Sequence, residues 1–87
     1  MYEVYISKRV LKNIRHMPIP VQRKMVNLID DLRDKGPIRP EWPNFSKLVS
    51  DHYHCHLIYK WVVCWTYRQQ GNRIEVYYAG SRENAPY

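Results

Sequence analysis

The stretch that decides the fold is PVQRKMVNLIDDLRDKGP, at residues 20–37. Apolar side chains recur in it at offsets of 4, 7, 8 and 11 from the first, which is the pattern of one buried helical face. They are Val21, Met25, Leu28, Ile29 and Leu32. Pro20 suits the first turn of a helix, and the closing Gly-Pro pair is a typical helix end. We therefore predict an amphipathic helix over residues 21–35 and expect its central pair, Leu28 and Ile29, to be buried.

The N-terminal side of this helix predicts a strand and a second, shorter helix. Residues 2–6 alternate between two faces, with Tyr2, Val4 and Ile6 on one and Glu3 and Tyr5 on the other, as in a half-buried strand. Ser7 is a suitable N-cap for a helix over residues 8–16, whose outer face is basic. The apolar stripe of that helix is Val10, Leu11, Ile14 and Met17. The two helices are expected to form a hairpin that covers one face of a sheet.

The C-terminal side predicts a loop and then β structure. Three prolines within residues 37–43 indicate the loop, and residues 45–49 fit a short strand. Beyond it, apolar side chains alternate with others in three runs, and Gly71 supplies a turn. The runs are Tyr53, Cys55 and Leu57; Trp61, Val63, Trp65 and Tyr67; and Ile74, Val76 and Tyr78. We predict one α+β domain over residues 1–87, in the order β-α-α-β-β-β, with a helical hairpin packed on an antiparallel-rich sheet.

Charge and composition restrict the partners. Fourteen Lys and Arg residues against eight Asp and Glu give a formal charge of +6, which favours RNA, DNA or an acidic protein segment. A basic surface that only maintains solubility is the alternative. No apolar run approaches the roughly 18 residues that span a bilayer, and no signal-peptide stretch is present, so we expect a cytoplasmic protein without a membrane partner. Cys55 and Cys64 are then expected to be reduced thiols, and two cysteines alone cannot form a four-thiolate metal site.

The segment His52-Tyr53-His54-Cys55-His56 carries the most chemical information. The period of a strand places its three histidines on one side, and because the apolar set faces the core, we expect the histidines to face solvent. Three roles are open to them. The first is a metal site, although no carboxylate stands at a companion spacing. The second is a solvated polar face. The third is acid–base chemistry near neutral pH.

The acid–base role fits cleavage of RNA by its own 2′-hydroxyl. That reaction needs a base for the hydroxyl, an acid for the departing 5′-oxygen and cations for the charge that develops on the phosphate. His54 and His56 are candidates for the base and the acid, and Lys60 and Arg82 for the cations. Because these groups suffice and companion ligands are missing, we expect no metal and no other cofactor.

The two C-terminal candidates each have a structural alternative. Arg82 leaves the last strand after Gly80, from where it could reach the open face, but an ion pair with Glu83 is about equally expected. Tyr87 can donate a phenolic proton or stack on a base, but it is also placed to be a frayed terminal residue.

Three stretches resemble the RelE branch of the RelE/ParE toxin superfamily, and together they span nearly the whole chain. They are the strand–helix–helix opening over residues 2–36, the strand Tyr53-His54-Cys55-His56-Leu57, and the tail Ala79-Gly80-Ser81-Arg82-Glu83 with a tyrosine soon after. The resemblance implies the toxin of a type II toxin–antitoxin system, which inhibits translation by cutting mRNA on the ribosome.

Carried over residue by residue, the resemblance implies a catalytic set. His54 and His56 stand where the family has two lysines, and Lys60 stands where it has an arginine at the start of the next strand. Arg82 matches the arginine of the Gly-x-Arg-Glu tail, and Tyr87 matches the tyrosine that follows. In the family these groups surround the scissile phosphate of mRNA in the ribosomal A site. Further side chains predicted to bind RNA are Lys47, His52 and Arg73.

The resemblance also implies partners, namely the ribosome, mRNA and a cognate antitoxin that wraps the toxin and blocks this face. Two alternatives share the fold. One is a ParE-like gyrase inhibitor, and the other is an interaction or nucleic-acid-binding module that has lost both activities. Convergent titratable groups favour the nuclease, because a module without chemistry has no need of them.

Overall fold

Two helices, five strands and one short 3-10 helix make up the chain, and the computed structural model describes all residues from 1 to 87. In chain order they are β1 (Glu3–Ile6), α1 (Lys8–Arg15), α2 (Ile19–Lys35), β2 (Ser46–Val49), β3 (His52–His56), β4 (Trp61–Arg68), β5 (Arg73–Ser81) and the 3-10 helix (Arg82–Asn84). Neither α-helix has the length and apolar character needed to cross a bilayer.

Local sequence explains where the helices begin and end. The Ser7 side chain accepts a hydrogen bond from the backbone N–H of Val10 at 3.2 Å and so caps α1. Pro20 occupies the first turn of α2, where its missing N–H costs nothing. Gly36 ends α2 with a φ of 97°. A Cβ at Gly36 would lie 2.7 Å from Cζ of Tyr2, so the tyrosine ring packs directly against this glycine.

The five strands form one sheet in the order β1-β5-β4-β3-β2. β1 pairs with β5 in parallel, and the other three pairs are antiparallel. The short segment at residues 46–49 is a full member of the sheet, so the chain contains one more strand than the predicted order β-α-α-β-β-β. The predicted α+β class and the helical hairpin on an antiparallel-rich sheet are confirmed.

The helices cover one face of the sheet and form the core with it. Leu28 is fully buried as predicted, whereas Ile29 is only half-buried at the edge of that core. Leu11 was expected in the apolar stripe of α1 but is 37% exposed. It follows the buried Val10 by one position, which turns its side chain about 100° around the helix and away from the sheet.

A β-bulge in β5 changes which side chains face the helices. Cys64 pairs with Tyr78, but the next residue, Trp65, pairs with Val76, so Tyr77 has no partner across the ladder. The extra residue shifts the alternation by one position. Ala79 therefore joins the core, and the prediction that Tyr78 follows Val76 on the core face is wrong.

Candidate active site

The face of the sheet opposite the helices, called the open face below, is assembled by strand pairing. Residues paired directly across a ladder share a face, so each histidine of β3 fixes its neighbours on β2 and β4. The bulge then adds two tyrosines from β5. The open face includes Ser46, Val49, His52, His54, His56, Val62, Cys64, Thr66, Glu75, Tyr77, Tyr78 and Gly80.

His54 lies at the centre of the open face and is buried, at 8% exposure. The expectation that the whole histidine row faces solvent is therefore wrong at this position, although the strand register is as predicted because Cys55 is in the core. The ring of Tyr87 covers His54, with 4.6 Å between ring centroids. The hydroxyl of Ser46 forms a hydrogen bond with Nδ1 of His54 at 2.9 Å.

Burial and a neighbouring charge both act on the imidazole of His54. Loss of hydration lowers its pKa below the ordinary value, and repulsion from His56 lowers it further, while a hydrogen bond with the backbone of Ser46 opposes the shift. The two imidazole rings are 5.6 Å apart and meet edge to face. His54 is therefore neutral at physiological pH and is able to accept a proton.

Tyr87 packs against the site with one side of its ring, while about half of its side chain, 53%, is exposed. Its ring rests on His54, and burial raises the pKa of its phenol, an effect that Cys64 reinforces and the positive charge of Arg82 opposes. The phenol therefore keeps its proton at neutral pH. Because Arg82 acts on this phenol, the guanidinium and the Tyr87 ring lie in the same part of the molecule.

Arg82 and Lys60 meet through their backbones. The N–H of Arg82 donates to the carbonyl of Lys60 at 2.6 Å, which ties the start of the 3-10 helix to the β3–β4 turn. The side chain of Arg82 is exposed and makes no ion pair with Glu83, which was its structural alternative. Nζ of Lys60 lies 5.4 Å from the ring centroid of Trp61. Both residues therefore lie at the end of the sheet where β3 and β5 finish, with the Arg82 side chain unpaired and the Lys60 ammonium over the Trp61 ring.

Gly80 leaves space on the open face for the ring of Tyr78. A Cβ at Gly80 would lie 2.8 Å from the hydroxyl oxygen of Tyr78, so only glycine leaves room for that ring as placed. The hydroxyl of Tyr78 donates to the carbonyl of Ser81 at 2.6 Å, and burial raises the pKa of the phenol. Sequence analysis missed Tyr77, Tyr78 and Ser46 as site residues because the bulge and the pairing of β2 leave no periodic signal.

Of the three side chains predicted to bind RNA, His52 shares the open face with His54, and the other two lie away from it. His52 lies on the open face, and its Nδ1 is 3.4 Å from the hydroxyl of Tyr77. Arg73 lies at the start of β5 and stacks its guanidinium 3.8 Å from the ring centroid of Tyr5. Lys47 pairs with the core residue Tyr53, so it belongs to the opposite side of the edge strand.

A groove of about 720 Å³ adjoins the open face between α1, β1 and β5. Arg9 and Asn13 of α1 line one side, and Tyr77 lines the other. Pro86 also borders the groove, which therefore extends to the residue next to Tyr87. No sequence pattern indicates this groove, because its walls come from three separated segments.

No group of three or more His, Cys, Asp or Glu side chains is arranged to hold a metal ion. The two cysteines lie on opposite faces of the sheet, since Cys55 belongs to the core and Cys64 pairs with His54. Burial raises the pKa of Cys55 to about 12 and that of Cys64 to about 11, so both thiols are protonated at neutral pH.

Comparison with solved structures shows which fold this is. A chain of the archaeal RelE–RelB complex from Pyrococcus horikoshii matches with a TM-score of 0.76 at 21% identity, covering 97% of this chain and 98% of that chain. A free-state mutant of the E. coli toxin RelE matches with a TM-score of 0.75 at 15% identity, covering 97% of this chain and 86% of that chain. The YoeB–YefM complex from Staphylococcus aureus matches with a TM-score of 0.71 at 13% identity, covering 92% and 95%.

The chain therefore has the RelE-like α+β fold, which is the fold of the RelE and YoeB toxins. No known family model matches the sequence, and no curated protein matches it.

Proposed function

We propose that this chain is the toxin of a type II toxin–antitoxin pair and cuts mRNA bound to the ribosome. One observation carries the proposal. A neutral imidazole at His54, the second imidazole of His56 and the phenol of Tyr87 converge on the open face, at distances of 5.6 and 4.6 Å from the central ring. The RelE-like fold and the charge of +6 support an RNA substrate.

The first half of the proposed reaction uses His54 as the base. Its imidazole accepts the proton of a ribose 2′-hydroxyl, whose oxygen forms a bond to the adjacent phosphorus. A lowered pKa suits this role, because the ring stays unprotonated at the pH of the cell. His54 is covered by Tyr87, so RNA reaches it when the tyrosine ring moves aside or contacts the substrate itself.

The second half releases the 5′-oxygen. The bond from phosphorus to that oxygen breaks, and a proton from His56 or from the phenol of Tyr87 neutralises the leaving alkoxide. Burial and repulsion from the imidazole of His56 both keep His54 neutral, so His54 is assigned as the base rather than the acid. The products are a 2′,3′-cyclic phosphate and a free 5′-hydroxyl. No metal step is required.

Arg82 is the proposed electrostatic catalyst. A guanidinium makes paired hydrogen bonds to phosphate oxygens, and one already in place stabilises the added charge of the transition state without reorganisation. The position of Arg82 supports this role, since its backbone is anchored to Lys60 while its side chain is exposed and unpaired. Lys60 adds a second positive charge at the same end of the face.

The proposed partner in the cell is an antitoxin that covers this face. The structural neighbours include RelE in complex with RelB and YoeB in complex with YefM. In this chain a segment with acidic side chains would complement the net charge of +6. The groove beside Tyr77 and Pro86 offers such a segment a concave seat that leads to Tyr87.

Primer extension on ribosome-bound mRNA tests the proposal. Purified wild-type chain should cut within the A-site codon and leave a cyclic phosphate, whereas Arg82→Ala should cut far more slowly. Arg68→Ala is the matched control, since Arg68 is an exposed arginine at the far end of β4. Toxicity of the induced protein without any cleavage would refute the nuclease and favour gyrase inhibition. Absence of both toxicity and cleavage would favour an inactive binding module.

A further inference from the structure

The turn between β3 and β4 has an unusual residue at its tip. Four residues, Ile58 to Trp61, close the turn through a hydrogen bond from the N–H of Trp61 to the carbonyl of Ile58 at 3.0 Å. Its second residue, Tyr59, has a φ of 50°, and its third does not have a positive φ. That is the pattern of a type II′ hairpin turn, whose second position favours glycine.

Elsewhere in the chain, a positive φ is adopted by residues that tolerate it better than tyrosine does. Apart from glycines, positive φ occurs at four positions, and three of them are Asn44, Asp51 and Asn72. Asn and Asp tolerate this region because their short polar side chains bond locally, while a bulky aromatic does not. Tyr59 is thus the one place where the backbone preference of the turn is ignored.

Packing does not account for the tyrosine either. Its side chain is 90% exposed, so the ring contributes almost nothing to the core. The fold therefore gives no reason for an exposed aromatic side chain at a strained backbone position, which indicates a contact with another molecule.

The position of the turn indicates what the ring meets. The next residue, Lys60, accepts the backbone bond from Arg82, so the tip borders the proposed phosphate-binding cations. His56, at the end of β3, lies just before the turn. A ring at this rim stands where the nucleotides flanking a bound phosphate would be, and exposed aromatic side chains stack on unpaired bases regardless of sequence.

We propose that Tyr59 stacks on an unpaired RNA base beside the scissile phosphate, an inference that rests on the proposed nuclease function. The base comes either from the mRNA codon or from ribosomal RNA, and both present the same flat surface. In this role Tyr59 contacts RNA and positions it, while proton transfer and charge stabilisation stay with the histidines and Arg82.

Binding to ribosomes tests the inference with three variants. Tyr59→Phe keeps the ring, Tyr59→Asn removes it and suits the positive φ, and Tyr59→Leu removes it with an apolar side chain. The probe is a ribosome programmed with mRNA that carries 2′-O-methyl groups in the A-site codon and so cannot be cut. Loss of one stacked base should weaken binding by roughly 5- to 150-fold for Asn and Leu, and Phe should bind like the wild type. The melting temperature of Tyr59→Asn should be no lower than that of the wild type.

Ribosomes without mRNA identify the source of the base. Weaker binding of Tyr59→Asn to these as well assigns the stacked base to ribosomal RNA, while a loss confined to programmed ribosomes assigns it to the mRNA. Wild-type affinity of Tyr59→Asn in both states overturns the inference. The nuclease proposal is judged separately by cleavage of unmodified mRNA. If the wild type and Arg82→Ala are equally inactive there, the proposed function fails, and the inference fails with it.

Discussion

The phenol ring of Tyr87 lies on the imidazole of His54, with 4.6 Å between the ring centroids and 51° between the ring planes. This contact helps to bury the group best placed to act as a base, and burial is the main cause of its lowered pKa. Tyr87 therefore helps to shield from water the imidazole at the centre of the sheet.

Removing the ring should raise the pKa of His54. Tyr87→Ala exposes the imidazole to water, which stabilises its charged form and moves its pKa back towards the ordinary value. Tyr87→Phe keeps the cover and should leave the pKa lowered. Titration of the His54 ring protons by NMR measures both variants. An unchanged pKa in Tyr87→Ala would mean that other residues exclude water from His54.

The same histidine should make stability depend on pH. Its pKa is lower in the folded chain than the ordinary 6.5 of the unfolded chain, so the unfolded state binds more protons as the pH falls below 6.5. The contribution of His54 to the free energy of unfolding should therefore be constant above pH 6.5. It should decrease as the pH falls from there to the pKa of His54 in the folded chain. Urea unfolding at about pH 7.5 and about pH 5.5 should show a smaller loss for His54→Gln than for the wild type. Equal losses would show that His54 does not contribute.

Gly80→Ala should disturb the Tyr78 ring. The new Cβ would lie 2.8 Å from the hydroxyl oxygen and 3.1 Å from Cζ of Tyr78, so the ring must rotate and lose its hydrogen bond to Ser81. We expect a loss of about 1 kcal/mol in the free energy of unfolding, the typical value of such a bond. In a Tyr78→Ala background the same substitution should cost less. Equal costs in both backgrounds would contradict the proposed clash.

The core can be tested with two substitutions on one helix. Leu28 is fully buried in α2, and its replacement by alanine should cost about 2–5 kcal/mol of unfolding free energy. Val26 is 57% exposed on the same helix, and Val26→Ala should change stability by no more than about 0.5 kcal/mol. Chemical denaturation measures both. Similar effects of the two substitutions would show that the buried face of α2 is misassigned.

Elements with a strong local period were predictable from the sequence. α2 carries its apolar face at regular spacing between a proline and a Gly-Pro pair, and the alternation within β3 correctly separated His54 from the core residue Cys55. Leu11 was misassigned because α1 is short, so one extra apolar residue at its border cannot be told from the stripe.

The remaining features depend on contacts between distant segments. The bulge at Tyr77 arises from pairing between β4 and β5, and it reverses the face of Tyr78 without any change in the sequence pattern. The burial of His54 depends on Tyr87, 33 positions later, so strand alternation alone predicted an exposed ring. The face of the sheet on which His54 lies was thus easier to predict than the burial of its ring.

Cleavage by Arg82→Ala protein tests the central claim most directly. On ribosome-bound mRNA, with the fold verified by an unchanged melting temperature, this variant should cut about 10²–10³ times more slowly than the wild type, because one fixed contact to the transition-state charge is lost. Arg82→Lys should recover only part of the rate, since an ammonium cannot make the paired contact of a guanidinium. A wild-type cleavage rate in well-folded Arg82→Ala protein would remove this residue from the mechanism and contradict the account of the site.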